Sequence, residues 1–300
     1  MLLTTIVYNK EKKSVIHGIQ ELKEYFRHKG VLIGIYESIE SDTHFLKLFC
    51  DREINNKLMN IYNMYIANII YDIVIDEFYE KDILAFLSDE YFFLKYEELE
   101  EIRLESLKVL KGKMTIIDEN SIFCINKRND ILDKISNCIN ENNEINIEGF
   151  ITFRIRELLD DLESIIDKVV EKYMVDKEYN EFIKLLKYFV EIQESKIDYL
   201  SIIIDNDGKY IIKDKEGDIT ESFFKDLKAL KCNKNINSDL DDVLISALIT
   251  NSPDKIVIHC AENCRNSELM DTIEKVFTDR VEFCNSCSIC KSVKSNLNRV

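Results

Sequence analysis

Five of the nine cysteines in this 300-residue chain fall within its last 41 residues, at Cys260, Cys264, Cys284, Cys287 and Cys290. Cys284, Cys287 and Cys290 form C-x2-C-x2-C, and Cys260 with Cys264 forms C-x3-C. Loops this short bring several sulfurs around one soft cation, so three consecutive cysteines plus Cys260 or Cys264 make a candidate four-sulfur metal set. His259 is the only imidazole nearby. Zinc or an iron–sulfur cluster are the cofactors such a set suits. Neither iron–sulfur run is complete, because Lys294 stands where a ferredoxin run needs its fourth cysteine and Ser267 where the C-x3-C-x2-C pattern needs its third. Cys284 and Cys287 also read as a C-x-x-C redox pair, and all five read equally as reduced thiols without a cofactor.

Other chemistry-bearing residues have plainer readings. Asp205, Asp207 and Asp214 flank a hairpin, but Gly208 comes too early for a calcium loop, so turn chemistry is expected. Arg154 and Arg156 open a periodic helix, where they pair with acidic neighbours or bind an anion, the ion pair being the plainer expectation. His17, His28 and His44 accompany no serine or cysteine motif, and neither G-x-S-x-G nor a phosphate-binding loop occurs. Cys50, Cys124, Cys138 and Cys232 are scattered, as packing or inert surface thiols are.

The elements that must position the cysteine cluster are readable from hydrophobic spacing. Residues 255–259 form a strand pattern, 267–277 an amphipathic helix and 281–283 a second strand, which together make a βαβ unit. Cys260 and Cys284 then end two parallel strands at the carboxyl edge of a sheet, where α/β sheets place ligands. Upstream, residues 197–204 and 209–213 flank Asp207-Gly208 as a hairpin. Helices are expected over 222–230 and 240–250. Ile151, Ile155, Leu158, Leu162, Ile165 and Val169 step by fours and threes along one helical face, and a second helix is expected to begin near Asp176.

The N-terminal part opens with a strand at 2–8, a helix at 14–27 and a hairpin of 31–36 with 44–50. Several helices follow to about Leu110, broken near Lys81 and Ser88, and residues 116–125 read as extended. Residues 140–146 are polar and linker-like. The fold class is therefore mixed α+β, with a small N-terminal α/β unit, a helix-rich middle and a C-terminal α/β domain. The domains are 1–138 and 147–290, with a tail at 291–300.

Forty basic against 56 acidic residues leave a net charge of −16, which disfavours non-specific binding to nucleic acid or anionic lipid. The apolar stretch 58–78 is interrupted by Asn60, Asn63, Asn68, Asp72 and Asp76, so no membrane insertion is expected. No secretory pattern opens the chain, and a cytoplasmic protein with reduced thiols is expected.

Glu148-Gly149-Phe150 with Phe153-Arg154, then Glu178 to Ile183, then Leu185 to Val190 and Gln193, resemble the YtxC-like family of sporulation proteins. Val281-Glu282-Phe283-Cys284 followed by Cys287 and Cys290 fits that pattern too, whereas Ser195 stands where the family tends to have Pro. The resemblance covers about half of the chain, from Glu148 onward, and implies a role in spore formation in a bacterial cytoplasm. It brings no catalytic residue, cofactor or activity. The leading expectation is a binding or scaffold-like protein with a protein partner of unspecified kind. The alternatives are a metal-dependent enzyme using Asp205 or Asp207 at the sheet edge, or a thiol redox sensor. Whether the chain is an enzyme stays open at this point.

Overall fold

The computed structural model describes residues 1–9, 13–113, 119–141, 144–224 and 240–295. Among them the order is β1 (Leu2–Asn9), α1 (Lys13–His28), β2 (Ile33–Glu40), β3 (Thr43–Cys50), α2 (Asn56–Lys81), α3 (Ile83–Glu90), α4 (Tyr96–Leu110) and α5 (Glu119–Glu141). There follow β4 (Glu144–Asn146), α6 (Ile147–Arg154), α7 (Arg156–Ile192), β5 (Leu200–Ile204), β6 (Tyr210–Lys213) and α8 (Thr220–Phe223). The chain continues with α9 (Leu240–Asn251), β7 (Ile256–His259), α10 (Ser267–Phe277), β8 (Val281–Cys284) and α11 (Ser288–Ser295). This is the mixed α+β fold with a helix-rich middle. The chain divides into two compact units, Met1–Met174 and Val175–Val300.

In the first unit the sheet order is β2-β3-β1-β4, with β2, β3 and β1 antiparallel and β4 parallel to β1. The expected hairpin of β2 and β3 is present, Ile33 lying opposite Cys50 and Glu40 opposite Thr43. Of residues 140–146, read as a linker, 140–141 end α5 and 144–146 form β4, whose Ile145 pairs beside Ile6 and is itself buried; 142–143 lie outside the described residues. Residues 119–125 are helical rather than extended, because Cys124, Ile131 and Ile135 share one buried face that continues through α5; residues 114–118 lie outside the described residues.

Helix α2 has 11 buried residues, among them Tyr62, Ile66, Ile69, Tyr71, Ile73 and Ile75, on more than one of its faces, as a helix at the centre of a unit has. Among the described residues it is the one helix long and apolar enough to cross a membrane, and 50% of its most apolar window is buried inside the fold. Asn55 caps its start by accepting from the Leu58 amide at 2.9 Å. The breaks at Lys81 and Glu90 match the expected ones to within two residues.

Helix α7 corrects the expectation of two helices meeting near Asp176: it runs unbroken from Arg156 to Ile192. The loss of periodicity there marks a change of buried face. Leu158, Leu162, Ile165, Ile166, Val169 and Val170 belong to the first core, and Ile183, Leu186 and Val190 to the second. The real interruption comes earlier, at Ile155 between α6 and α7.

The second unit is built on a sheet of order β6-β5-β7-β8, in which β6 is antiparallel to β5 and the other pairs are parallel. The hairpin turn uses Gly208 at a φ of +79°, a left-handed value that glycine adopts without a Cβ clash. Helix α10 covers the sheet with Leu269, Ile273, Val276 and Phe277, and Asn266 caps it by accepting from the Glu268 and Leu269 amides. Of the helix expected over 222–230, residues 220–223 are helical and 225–230 lie outside the described residues.

Candidate metal centre

Strand β7 is four consecutive buried residues, Ile256-Val257-Ile258-His259, which suits a strand covered on both faces and flanked by parallel neighbours. Its last residue, His259, pairs in register with Cys284, the last residue of β8. Side chains opposed in register share a sheet face, so the imidazole and the thiol start out on the same side. The chain then leaves β7 through Cys260, which takes a left-handed conformation with φ 57° and ψ 46° before a short 3-10 turn at Ala261–Asn263. A non-glycine residue in this region is uncommon and costs about 1 kcal/mol or more, a strain frequently stored beside functional sites.

After β8 the chain makes a tight excursion and enters α11, where Cys287 immediately precedes the first helical residue and Cys290 lies on the first turn. A spacing of three on a helical turn brings both side chains to one face. The Cys287 sulfur lies 3.3 Å from His259 Nδ1 and 3.6 Å from the Cys290 sulfur. The Cys290 sulfur lies 3.5 Å from His259 Nδ1 and 4.0 Å from the Cys284 sulfur. All four ligand atoms, from His259, Cys284, Cys287 and Cys290, fall within 4.8 Å of one another.

These separations have a simple chemical scale. Four ligands at tetrahedral corners, about 2.3 Å from a zinc ion for sulfur and about 2.0 to 2.1 Å for nitrogen, stand about 3.8 Å apart for sulfur pairs and about 3.5 Å for sulfur with nitrogen. The contacts above, from 3.3 to 4.0 Å, have the size of such a mononuclear site.

The electrostatics divide the thiols into unlike partners. Cys287 receives the Cys290 and Ile289 amides at the start of α11, and these N–H groups hold its pKa below the ordinary thiol value. Burial pushes the Cys290 thiol up to about 12, and its neighbouring sulfurs add to that shift. Cys290 donates to the Cys284 carbonyl at 3.0 Å, the arrangement of a protonated thiol, which a bound cation would replace by a thiolate. Burial lowers the pKa of His259, so the ring is neutral and carries a lone pair. The far ring nitrogen, Nε2, is buried without a partner among the described residues, so the imidazole is held by strand packing.

Of the five cysteines nominated from spacing, the structure brings Cys284, Cys287 and Cys290 together. Cys260 is fully buried behind them, its sulfur 4.0 Å from the Cys290 carbonyl, and is not among the four converging atoms. Cys264 points elsewhere: its thiol donates to the Asn266 carbonyl at 3.2 Å and lies 3.7 Å from the Tyr210 hydroxyl, which donates to Asp241. His259 takes the corner that spacing alone assigned to Cys260 or Cys264. The signal that could have selected it is strand alternation, since neighbouring residues of a strand face opposite sides and only one of two can share the face of Cys284.

Asp205, Asp214, Arg154 and His44 have local partners. Asp205 accepts from the Asp207 and Lys209 amides at 2.9 and 2.8 Å, and Asp214 from those of Glu216 and Gly217, which is turn chemistry. Arg154 pairs with Glu157 at 3.0 Å, and His44 with Glu37 at 2.8 Å while stacking on Tyr8. Cys50 and Cys124 are buried in the first core and Cys138 is half-buried; Cys232 lies outside the described residues.

These features define an α+β protein with a three-cysteine, one-histidine cluster at the carboxyl edge of its C-terminal sheet. The sequence pattern of the YtxC-like family matches residues 64–282, and the chain belongs to that family. The match reaches back into α2, well before Glu148 where the resemblance was first legible, and stops two residues short of Cys284. The chain is also 22% identical over 211 residues to the uncharacterized protein YtxC of Bacillus subtilis (strain 168), covering 68% of this chain and 70% of that protein. No solved structure matches.

Proposed function

We propose that the C-terminal unit carries one zinc ion held by His259, Cys284, Cys287 and Cys290, and that the chain is a cytoplasmic binding or scaffold-like protein of spore formation. The convergence of four ligand atoms within 4.8 Å carries the metal reading. Mononuclear geometry favours zinc over a cluster, whose several irons would hold the sulfurs further apart. Four protein ligands complete a tetrahedron and leave no position for water or substrate, which supports a structural role over a catalytic one. The metal's work is then mechanical: it ties α11 and the end of β8 to the end of β7. The role in spore formation rests on family resemblance, and the binding or scaffold-like role on that resemblance together with a closed site.

The test is the metal content of untagged chain purified without oxygen, with a strain in which His259→Ala or Cys290→Ser replaces the native gene. About one zinc per chain, lost in both variants, together with a fall in heat-resistant spores, is the expected outcome. Zinc well below one per chain in freshly purified protein contradicts the metal reading. Normal spore yield from a strain lacking the gene contradicts the biological one.

A further inference from the structure

The second half of α7 carries a surface that neither core uses. Ile183, Leu186 and Val190 point into the second core, while Val175, Phe182, Leu185, Phe189 and Ile192 are between 42% and 60% exposed. Their numbers alternate by fours and threes from Phe182 onward, and Val175 lies seven residues before Phe182. These steps keep the five side chains on one face of the helix, beside the face that Ile183, Leu186 and Val190 turn to the core. One seam place, midway between Val175 and Phe182, is taken by Glu178. Tyr188, 57% exposed, flanks the seam on the same side as Glu181.

We propose that residues 175–192 of α7 are a self-association surface on which a second copy of the same helix packs antiparallel. An apolar helix face of this length is matched by another of the same length and spacing, and a second copy supplies one. Charge sets the direction. A parallel, in-register pair would place Glu178 against Glu178 inside an apolar seam, a like-charge contact that disfavours that arrangement. The antiparallel pair sets Val175 against the partner's Ile192, Phe182 against the partner's Leu185, and Glu178 against the partner's Phe189, separating the two carboxylates. It also brings each Tyr188 hydroxyl beside the partner's Glu181, where it can donate. Eighteen residues span about 27 Å, and a contact face about 20 Å wide gives roughly 1,000 Å² over both copies, enough for a specific interface.

The full chain should sediment as a concentration-dependent dimer. Phe182→Glu and, separately, Leu185→Lys should each weaken it by about 30-fold or more, with helix content unchanged because both side chains are half exposed. Mixing the two variants should restore dimerisation, since Glu at 182 then faces Lys at 185 of the other copy. Phe182→Gln is the substitute if Phe182→Glu unfolds, and it should weaken the dimer in the same direction. A monomer at every concentration overturns the proposal, as does a dimer indifferent to these substitutions. Two variants that are monomeric alone and stay monomeric when mixed overturn the antiparallel arrangement.

Discussion

The two units solve the same problem with different materials. Among the described residues the first core contains 40 buried apolar residues, wrapped around α2, and the second contains 20. The second unit is also the shorter one, and its burial thins out at one end. Strand β8 is an edge strand with no fully buried residue, and Cys290 is the one buried residue described in α11. An eight-residue helix is far below the length that is stable by itself in water. Its polar ties, Asn206 to the Val293 carbonyl and Lys294 to Glu262, are exposed and contribute little. Where apolar burial is abundant the chain needs no further fastening; at the thinly buried end of the second unit, three cysteines and a histidine converge, as metal-binding groups do in small domains whose cores are too thin.

The comparison breaks most visibly on metal removal. Chelation, or Cys287→Ser, should increase amide exchange across β8 and α11 by about 1,000-fold, as expected when a tightly bound ion that stabilises only the native state is lost, while α2 amides keep their protection. Exchange followed by mass spectrometry reads both regions in one experiment. Equal loosening of α2 would mean that the units do not divide their stability in this way.

The converse substitution acts on the first unit. Ile66→Ala removes a fully buried side chain in α2 and should cost about 2 to 5 kcal/mol, read as an earlier melting transition, with zinc content unchanged.

A smaller, pH-dependent effect is expected at Asp161, 7% exposed. Burial raises its pKa, but hydrogen bonds from Lys127 and Lys134 at 2.7 and 2.6 Å prevail and hold it below the usual carboxylate value. A depressed folded pKa adds stability that is fully present above the unfolded value of 3.8 and is lost as pH falls through the folded value. Asp161→Asn should therefore destabilise the first unit at neutral pH by about 1 to 2 kcal/mol, discounted for the exposure of both lysines, and flatten its acid unfolding below about pH 4. Unchanged acid unfolding would assign that sensitivity to other carboxylates. Smallest of all, Lys255→Ala removes an exposed pair between the residue before β7 and Glu282 of β8, and thermal melting should register no more than about 0.5 kcal/mol.

Much of this architecture was legible in the sequence because it rests on short-range pattern. The β7-α10-β8 unit follows from a β-branched run, an amphipathic helix and a second short run, and its boundaries agree with the expected ones to within a residue. The errors arose where one element serves two environments. Helix α7 changes its buried face near Asp176, which in sequence looks like a break, although no Gly or Pro occurs between Gly149 and Gly208 to cause one. Strand β4 is three residues in a polar stretch, visible only through its pairing with β1. The cysteines announced a site by clustering, but the choice of His259 over Cys260 and Cys264 depends on strand register and on the left-handed turn at Cys260, neither of which local spacing encodes.

The central claim, that one zinc ion with three sulfur ligands and one imidazole fastens the C-terminal end of the chain, is tested most directly by X-ray absorption at the zinc edge of freshly purified, untagged protein. The expected zinc environment is three sulfurs at about 2.3 Å and one nitrogen at about 2.0 to 2.1 Å, with the nitrogen lost in His259→Ala. A shell of four sulfurs, a shell of oxygen and nitrogen alone, or iron with iron neighbours in place of zinc would contradict it.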